Sequence, residues 1–498
     1  MRRAALRTGL AALASLVWAP AALAQDLTAP PTDDERAREA ELFGAPSAPT
    51  PDQGAAPEGD SDQKPVVEAP VAPVAPVAPA AQPTPPASNT EERMAAALVS
   101  HDATTALGGL LYLRLDYNAL EHGKPKTFLV SSPSLFDVYL DARPSEHVRG
   151  YVRGRLKHDA TVTSGSTDAF GNVRQGSTVL LDQLWLKFDV GDRVWVTAGR
   201  QAIRWGSGRF WNPTDFMNQQ VRDPLAVFDE REGVTLVKVH LPIEALGWNF
   251  YALGNFERAD RPDEVGGGLR AELLFESINT ELALSAAKTS HGPTQLGAEV
   301  SAGVGLVDLR AEAGLQKGVR SPFYRGELDP ARLVIPEPYS RDGDWLLQAT
   351  AGAELALKYS DEDNVTVGAE AFYNGAGYAD AELYPWLFAN QRYTPLYAGR
   401  RYAALYALLM APGSWNDTTF ILSGIGNLSD RSYLARLDYR VRVLTYLDVN
   451  LYGAYHFGQV GELHYSYALE PLPVDGLRNG IVIVAPRFDV GVGLRAAF

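Results

Sequence analysis

Across residues 108–498, apolar and polar side chains alternate at every second position in one segment after another. No apolar run there reaches the roughly 18 residues of a membrane-spanning helix. A period of two belongs to the β-strand, whose successive side chains point to opposite faces. The final segment shows it most clearly. Phe488, Val490, Val492, Leu494, Ala496 and Phe498 share one face, and Arg487, Asp489, Gly491, Gly493, Arg495 and Ala497 share the other. Leu447, Val449, Leu451, Gly453, Tyr455 and Phe457 likewise oppose Asp448, Asn450, Tyr452, Ala454 and His456. Earlier in the chain, Val148, Val152 and Leu156 oppose Arg149, Tyr151, Arg153, Arg155 and Lys157.

Segments of this kind number about 18, from 108–117 and 134–142 to 447–457 and 486–498. Every second connection between them is a tight turn, such as Pro144-Ser145-Glu146, Gly191-Asp192 or Ser360-Asp361-Glu362. Nearly all the others are longer, and several are much longer. A soluble sandwich has no reason to alternate short and long connections. A barrel in the outer membrane does, with short periplasmic turns and long extracellular loops. The expected fold is therefore all-β: a closed antiparallel transmembrane β-barrel of about 18 strands, with about 16 as the alternative count. An even count places both ends of the barrel domain in the periplasm. In lipid a closed barrel satisfies its own backbone, so one apolar face per strand is enough. That reconciles membrane insertion with a mean hydropathy of only −0.14. Tyr117, Tyr359, Tyr373, Tyr439 and Tyr455 fall near strand ends on the apolar face, where interfacial aromatics belong.

The first hundred residues read differently. Arg2, Arg3 and Arg7, the apolar Leu10–Trp18 and the small-residue site Ala22-Leu23-Ala24 give residues 1–24 the form of a signal peptide. Residues 25–93 hold 14 of the 33 prolines and 13 acidic against 4 basic side chains, a net −9. Such a stretch cannot bury a core. The expected organisation is a signal peptide (1–24), a disordered acidic Pro/Ala-rich periplasmic linker (25–107) and an outer-membrane barrel (108–498). Residues 26–93 act either as a spacer or as an arm that touches peptidoglycan or a periplasmic protein. The overall charge of −15 argues against nucleic acid as a partner. Outer-membrane lipid is the expected surrounding.

Catalytic and metal chemistry find little support. With no cysteine in the chain, disulfides and thiolate sites are excluded, and the 8 histidines are scattered without metal-ligand spacing. Trp205-Gly206-Ser207-Gly208-Arg209 lacks the Gly-x-Ser-x-Gly order of a nucleophile elbow. No enzyme activity, cofactor or metal is expected.

Over residues 108–498 the chain resembles Gram-negative outer-membrane porins. Phe498, closing an alternating strand, looks like the recognition signal of the barrel-assembly machinery. Gly199-Arg200-Gln201, Trp205-Gly206 and Asn212-Pro213-Thr214-Asp215 resemble a motif of poorly characterised porin-like families. The Gly-Arg-Gln part is also similar to alginate-export-type barrels. The resemblance implies a channel, trimeric if like many porins and monomeric if like alginate-export barrels. It also implies a third extracellular loop that folds inward.

The candidate pore-lining residues follow from strand faces. Arg149, Arg153, Arg155 and Lys157 form one basic ladder, and Arg436, Arg440 and Arg442 another around Asp438. Arg114, Asp116, Asp137, Asp141 and Arg143 lie on the first strands. These charges either act on anionic or sugar-like solutes or pair with one another and brace the wall. The third loop, Arg200–Arg231, carries Arg204, Trp205, Arg209, Phe210, Trp211, Asn212 and Asp215. It is either a constriction with binding groups or a packed plug. The expected function is passive diffusion of small hydrophilic solutes. The alternatives are polysaccharide export with periplasmic partners and a structural or adhesive surface barrel.

Overall fold

The computed structural model describes residues 104–166, 174–289, 292–329, 332, 334–360, 363–470 and 481–498. The signal peptide and nearly all of the acidic linker lie outside the described residues.

The barrel strands are β1 (Thr105–Leu120), β2 (Pro133–Ser145), β3 (Val148–Asp159), β4 (Ser177–Val190), β5 (Val194–Gln201) and β6 (Val234–Ile243). Next come β7 (Trp248–Asn255), β8 (Gly266–Phe275), β9 (Thr280–Lys288), β10 (Thr294–Val304), β11 (Val307–Lys317) and β12 (Trp345–Lys358). The last six are β13 (Asn364–Asn374), β14 (Arg401–Met410), β15 (Thr418–Asn427), β16 (Ser432–Leu444), β17 (Leu447–Gly458) and β18 (Pro486–Ala497). Each pairs antiparallel with its sequence neighbours, and β1 closes on β18 with Leu113 opposite Leu494 and Leu115 opposite Val492. A short segment, Leu129–Ser131, pairs antiparallel with Asp116–Asn118 at the outer end of β1 and continues the side taken by β2. The 18 strands thus form one closed sheet with no free edge, as the alternation predicts.

Turns 146–147, 191–193, 244–247, 276–279, 305–306, 359–363, 411–417 and 445–446 lie at one end. The longer connections lie at the other: 121–132, 160–176, 202–233, 256–265, 318–344, 375–400 and 459–485. By the length rule the first end is periplasmic. Two connections at the outer end, 289–293 and 428–431, are short and break the expected alternation.

Burial is inverted relative to a soluble protein. Leu113, Leu115, Leu184, Leu284, Leu405 and Leu422 are exposed, while Asp137, Arg155, Asp182, Glu312 and Glu370 are buried. An apolar exterior around a polar interior is stable only with lipid outside, so this is an outer-membrane β-barrel. Tyr359, Tyr373 and Tyr455 sit on the exterior near strand ends, and Tyr433 stacks on Phe457 at the outer rim. Phe498 continues the lipid-facing row of β18. Its backbone N–H donates to Gly109 O at 2.9 Å, its carbonyl accepts from Gly109 N–H at 2.7 Å, and its ring stacks on Phe136.

Three long loops pack together outside the barrel. Tyr324, Leu383, Tyr384, Trp386, Leu387, Tyr465 and Leu469 form a shared apolar core around the short helix Tyr384–Ala389. Glu462 fastens this cap. Its carboxylate accepts from Tyr402 Oη (2.6 Å), Asn427 Nδ2 (2.9 Å), Tyr393 Oη (3.2 Å) and the Leu396 N–H. Burial raises the Glu462 carboxyl to about 7.

Candidate functional site

The third outer connection, 202–233, folds into the lumen instead of standing outside it. Its entry is set at Gly199 on β5, whose φ of +126° brings its Cα against the Leu184 carbonyl. A Cβ would meet that oxygen, so the Gly of Gly-Arg-Gln is required by backbone geometry. Arg200 bonds Glu232 at 2.8 Å and Glu257 at 3.3 Å, and Gln201 Nε2 donates to two backbone carbonyls. The motif therefore ties the two roots of the loop to the wall. Ile203, Trp205, Phe216 and Met217 then pack on Leu236, Leu253 and Ala287, with the Arg270 guanidinium over the Trp205 ring.

Asn212-Pro213-Thr214-Asp215 forms a turn closed by Asp215 N–H to Asn212 O. The Asp215 carboxylate accepts from Trp205 N–H and Asn218 Nδ2 and pairs with Arg231 at 2.5 Å. Arg231 also holds Asp229 at 2.7 Å. Opposing burial, the Arg231 charge draws the Asp229 carboxyl below its usual range.

The tip of the loop is latched to the far wall by three carboxylates. Glu370 on β13 accepts the successive N–H groups of Arg209 (2.7 Å), Phe210 (3.0 Å) and Trp211 (2.9 Å). Three adjacent N–H groups make a nest for an anion, and here the wall supplies it. Glu312 on β11 accepts from the Gly208 N–H, and Thr214 Oγ1 lies 2.9 Å from Glu312 and 2.8 Å from Glu299 on β10. The Trp211 side chain, 0% exposed, stacks on Phe372 and packs on Tyr402, and its Nε1 donates to Leu396 O. Arg209 lies over the Tyr406 ring at 4.0 Å. The structure brings Arg209, Trp211, Asn212 and Asp215 together on this loop, and the three glutamates that hold it were not among the expected residues.

The charge ladders face the lumen, and they are paired. Arg149 bonds Asp141 at 2.9 Å, Arg155 bonds Asp137 at 2.7 Å, and Arg153 bonds Asp182. Lys157 lies 3.9 Å from Glu232. The basic excess read on β3 is therefore matched by neighbouring carboxylates. One of these, Asp182, sits at a bulge where Arg153 faces Gln183 and Gly154 faces Leu181, so it turns inward out of phase. On β16 only Arg436 pairs with Asp438, at 2.6 Å. Arg440 and Arg442 do not gather around Asp438 as expected; they face Asp448, with Arg495 nearby at 3.9 Å. Arg114 pairs with Asp116 at 2.8 Å, beside Tyr452. Arg204 Nε is buried without a partner among the described residues.

Among the described residues, one group could bring metal-type ligands together: His147, Asp189 and Asp192 at the periplasmic turns. His147 Nδ1 lies 2.9 Å from Asp189, and the geometry is that of an exposed ion pair.

The inward loop leaves space on both sides. Between it and β1, β16, β17 and β18 lies a cavity of about 260 Å³, reached by Arg114, Asp116, Arg436, Asp438, Glu230 and Glu462. Burial raises the Glu230 carboxyl to about 7, against the opposing pull of Arg114 and Arg155. A smaller cavity of about 60 Å³ continues toward the periplasm, lined by Arg209, Arg222, Arg440 and Asp438. The two share Leu225, Ala226, Val227 and Asn450, so they abut. On the other side of the loop, under the outer cap, lies a third cavity of about 400 Å³.

No family model and no curated protein matches the chain. Among solved structures it is similar to the outer membrane protein OpdK from Pseudomonas aeruginosa, at 10% identity and a TM-score of 0.46, over 79% of this chain and 98% of that one. It is also similar to OprB from Pseudomonas putida (10%, TM-score 0.38, 79% and 93% covered) and to a Rhodopseudomonas blastica porin variant (13%, 0.38, 79% and 100%).

Proposed function

We propose that this chain is a passive outer-membrane channel for small hydrophilic solutes, with anions favoured at its inner end. The observation that carries the reading is the pair of abutting cavities between the inward loop and the β15–β18 and β1 wall. Their lining is largely apolar, and the charged groups that reach into it from β1, β16 and the inward loop offer the polar contacts a hydrated solute needs. At the inner cavity Arg209, Arg222 and Arg440 stand beside Asp438, with Glu354 behind Arg209 and Asp448 behind Arg440, and this local crowding of guanidiniums supplies the anion bias. The strand ending at Phe498 serves as the segment taken up by the barrel-assembly machinery. Residues 26–93 serve as a spacer or as an arm for peptidoglycan or a periplasmic protein.

Planar-bilayer recording on the purified, folded full chain tests the reading. Discrete ohmic steps with a reversal potential on the anion side are expected. Folded protein that inserts and does not conduct would end it. A second reading, a surface-binding barrel, is favoured by the apolar core shared among three outer loops. It predicts insertion without conductance.

A further inference from the structure

The third cavity has a lining unlike the rest of the lumen. At the outer ends of β10, β11, β12 and β13 the inward positions are Gln295, Gln316, Gln348 and Asn374. Gln295 faces Gln316 across one strand pair, and Gln348 faces Asn374 across the other. Four adjacent strands thus present two pairs of uncharged amides, stepped by one inward position where Gln316 faces Leu346 and Gln348 faces Gly314, on the outer side of the glutamates that latch the loop. Gln348 Nε2 donates to Asn374 Oδ1 at 2.9 Å, and Asn374 Nδ2 donates to Tyr397 O at 2.6 Å, which fixes one of the pairs. The side chains of Gln295 and Gln316 make no hydrogen bond among the described residues and are half-buried against the cavity.

An amide offers a donor and an acceptor on one group, as a hydroxyl does. It has no net charge with which to hold an ion. Asn212 and Phe216 of the inward loop form the floor, and Phe323, Tyr378 and Tyr397 add ring surface at the sides. Three charged residues reach the cavity, each with a partner: Asp215 pairs with Arg231, Arg392 donates to Ser321 Oγ on the cavity's own rim, and Arg222 donates to Arg209 O. The volume of about 400 Å³ falls within the roughly 300–1,000 Å³ of small-ligand sites.

We infer that this outer vestibule binds an uncharged polyhydroxylated solute, a sugar of one or two rings. The site lies across the loop from the charged cavities, with Arg222 reaching both sides. The inference extends the channel reading, from which it takes only that solutes reach this mouth.

Titration calorimetry of the folded full chain in detergent, with glucose and sucrose as probes, tests it. Saturable binding of at least one is expected, with gluconate and glucosamine bound more weakly. Replacing the two free amides in a Gln295→Leu/Gln316→Leu variant should weaken binding about tenfold. Gln316→Glu, checked for folding by heat-modifiable migration, should weaken it too and guards against a misfolded double variant. Absence of binding by both sugars, or binding that neither variant changes, would overturn the inference. Conductance is recorded separately on the unaltered protein. A conducting channel that ignores sugars overturns the vestibule alone. A sugar-binding barrel that does not conduct overturns the channel reading alone.

Discussion

Glu370 offers the sharpest perturbation of the lumen. Its carboxylate receives the N–H groups of Arg209, Phe210 and Trp211 at 2.7–3.0 Å in a buried setting. Each hydrogen bond to a charged acceptor contributes about 1.5–3 kcal/mol, and a buried donor left without an acceptor costs about 1–3 kcal/mol. In Glu370→Gln one oxygen can still serve Phe210 and Trp211, but an NH2 group then faces the Arg209 N–H. The loop tip should lose about 3 kcal/mol of local stability, which raises the released population about a hundredfold. Glu370→Ala orphans all three donors and should lose more, on the order of 5 kcal/mol, while Phe372 and Tyr402 still hold the Trp211 ring. Hydrogen exchange over residues 202–221 reads this directly, and single-channel recordings should become noisier with a larger open level. Unchanged protection of residues 208–212 in Glu370→Ala would refute the latch.

Removing Arg155 leaves Asp137 and Asp182 buried with a cation missing, so Arg155→Ala should cost about 3–5 kcal/mol and lower the temperature of heat-modified migration. A stable variant with shifted ion selectivity would show instead that Arg155 acts on solutes. Burial raises Glu230 and Glu462, both at the 260 Å³ cavity, to about 7. Because their folded values exceed the unfolded ones, each favours the folded state when protonated. That advantage shrinks as pH rises through about 7. Acidification from about pH 8 to about pH 6 removes negative charge from the passage, so the reversal potential should move further toward anions; movement toward cations would contradict this. Trp211→Ala should cost about 3–5 kcal/mol of loop packing and expose the tip to protease. Deleting residues 26–90 should leave conductance unchanged; loss of polysaccharide secretion on deletion would favour the export alternative.

The barrel was legible because lipid and lumen impose opposite demands on alternate residues. The expected segments 447–457 and 486–498 match β17 and β18 to within one residue at their ends. β1 starts at Thr105, a little before the expected boundary at 108. The inward loop came from resemblance, and the structure gives it a physical cause. What the alternation could not show was partnership. Arg153 and Arg155 read as a basic ladder because their carboxylates come from other strands, and Asp182 is out of phase through a bulge. Glu299, Glu312 and Glu370 carry no mark of their own in the sequence. Their signal lay in their neighbours. Gly297 and Gly314 share the lumen face with Glu299 and Glu312, and a Cβ at either would meet the loop at Thr214 and Phe216 or at Pro213. A glutamate beside a glycine on adjoining strands marks a place where a second backbone approaches the wall.

The native chain has no cysteine, so a single introduced thiol gives an unambiguous reporter. Ala226, on the inward loop, lines both of the abutting cavities. In planar bilayers, an Ala226→Cys channel treated with a charged, thiol-specific methanethiosulfonate should lose much of its conductance at once, while the unaltered protein does not respond. Full modification confirmed by mass with the current unchanged would show that solutes do not pass along this face of the loop.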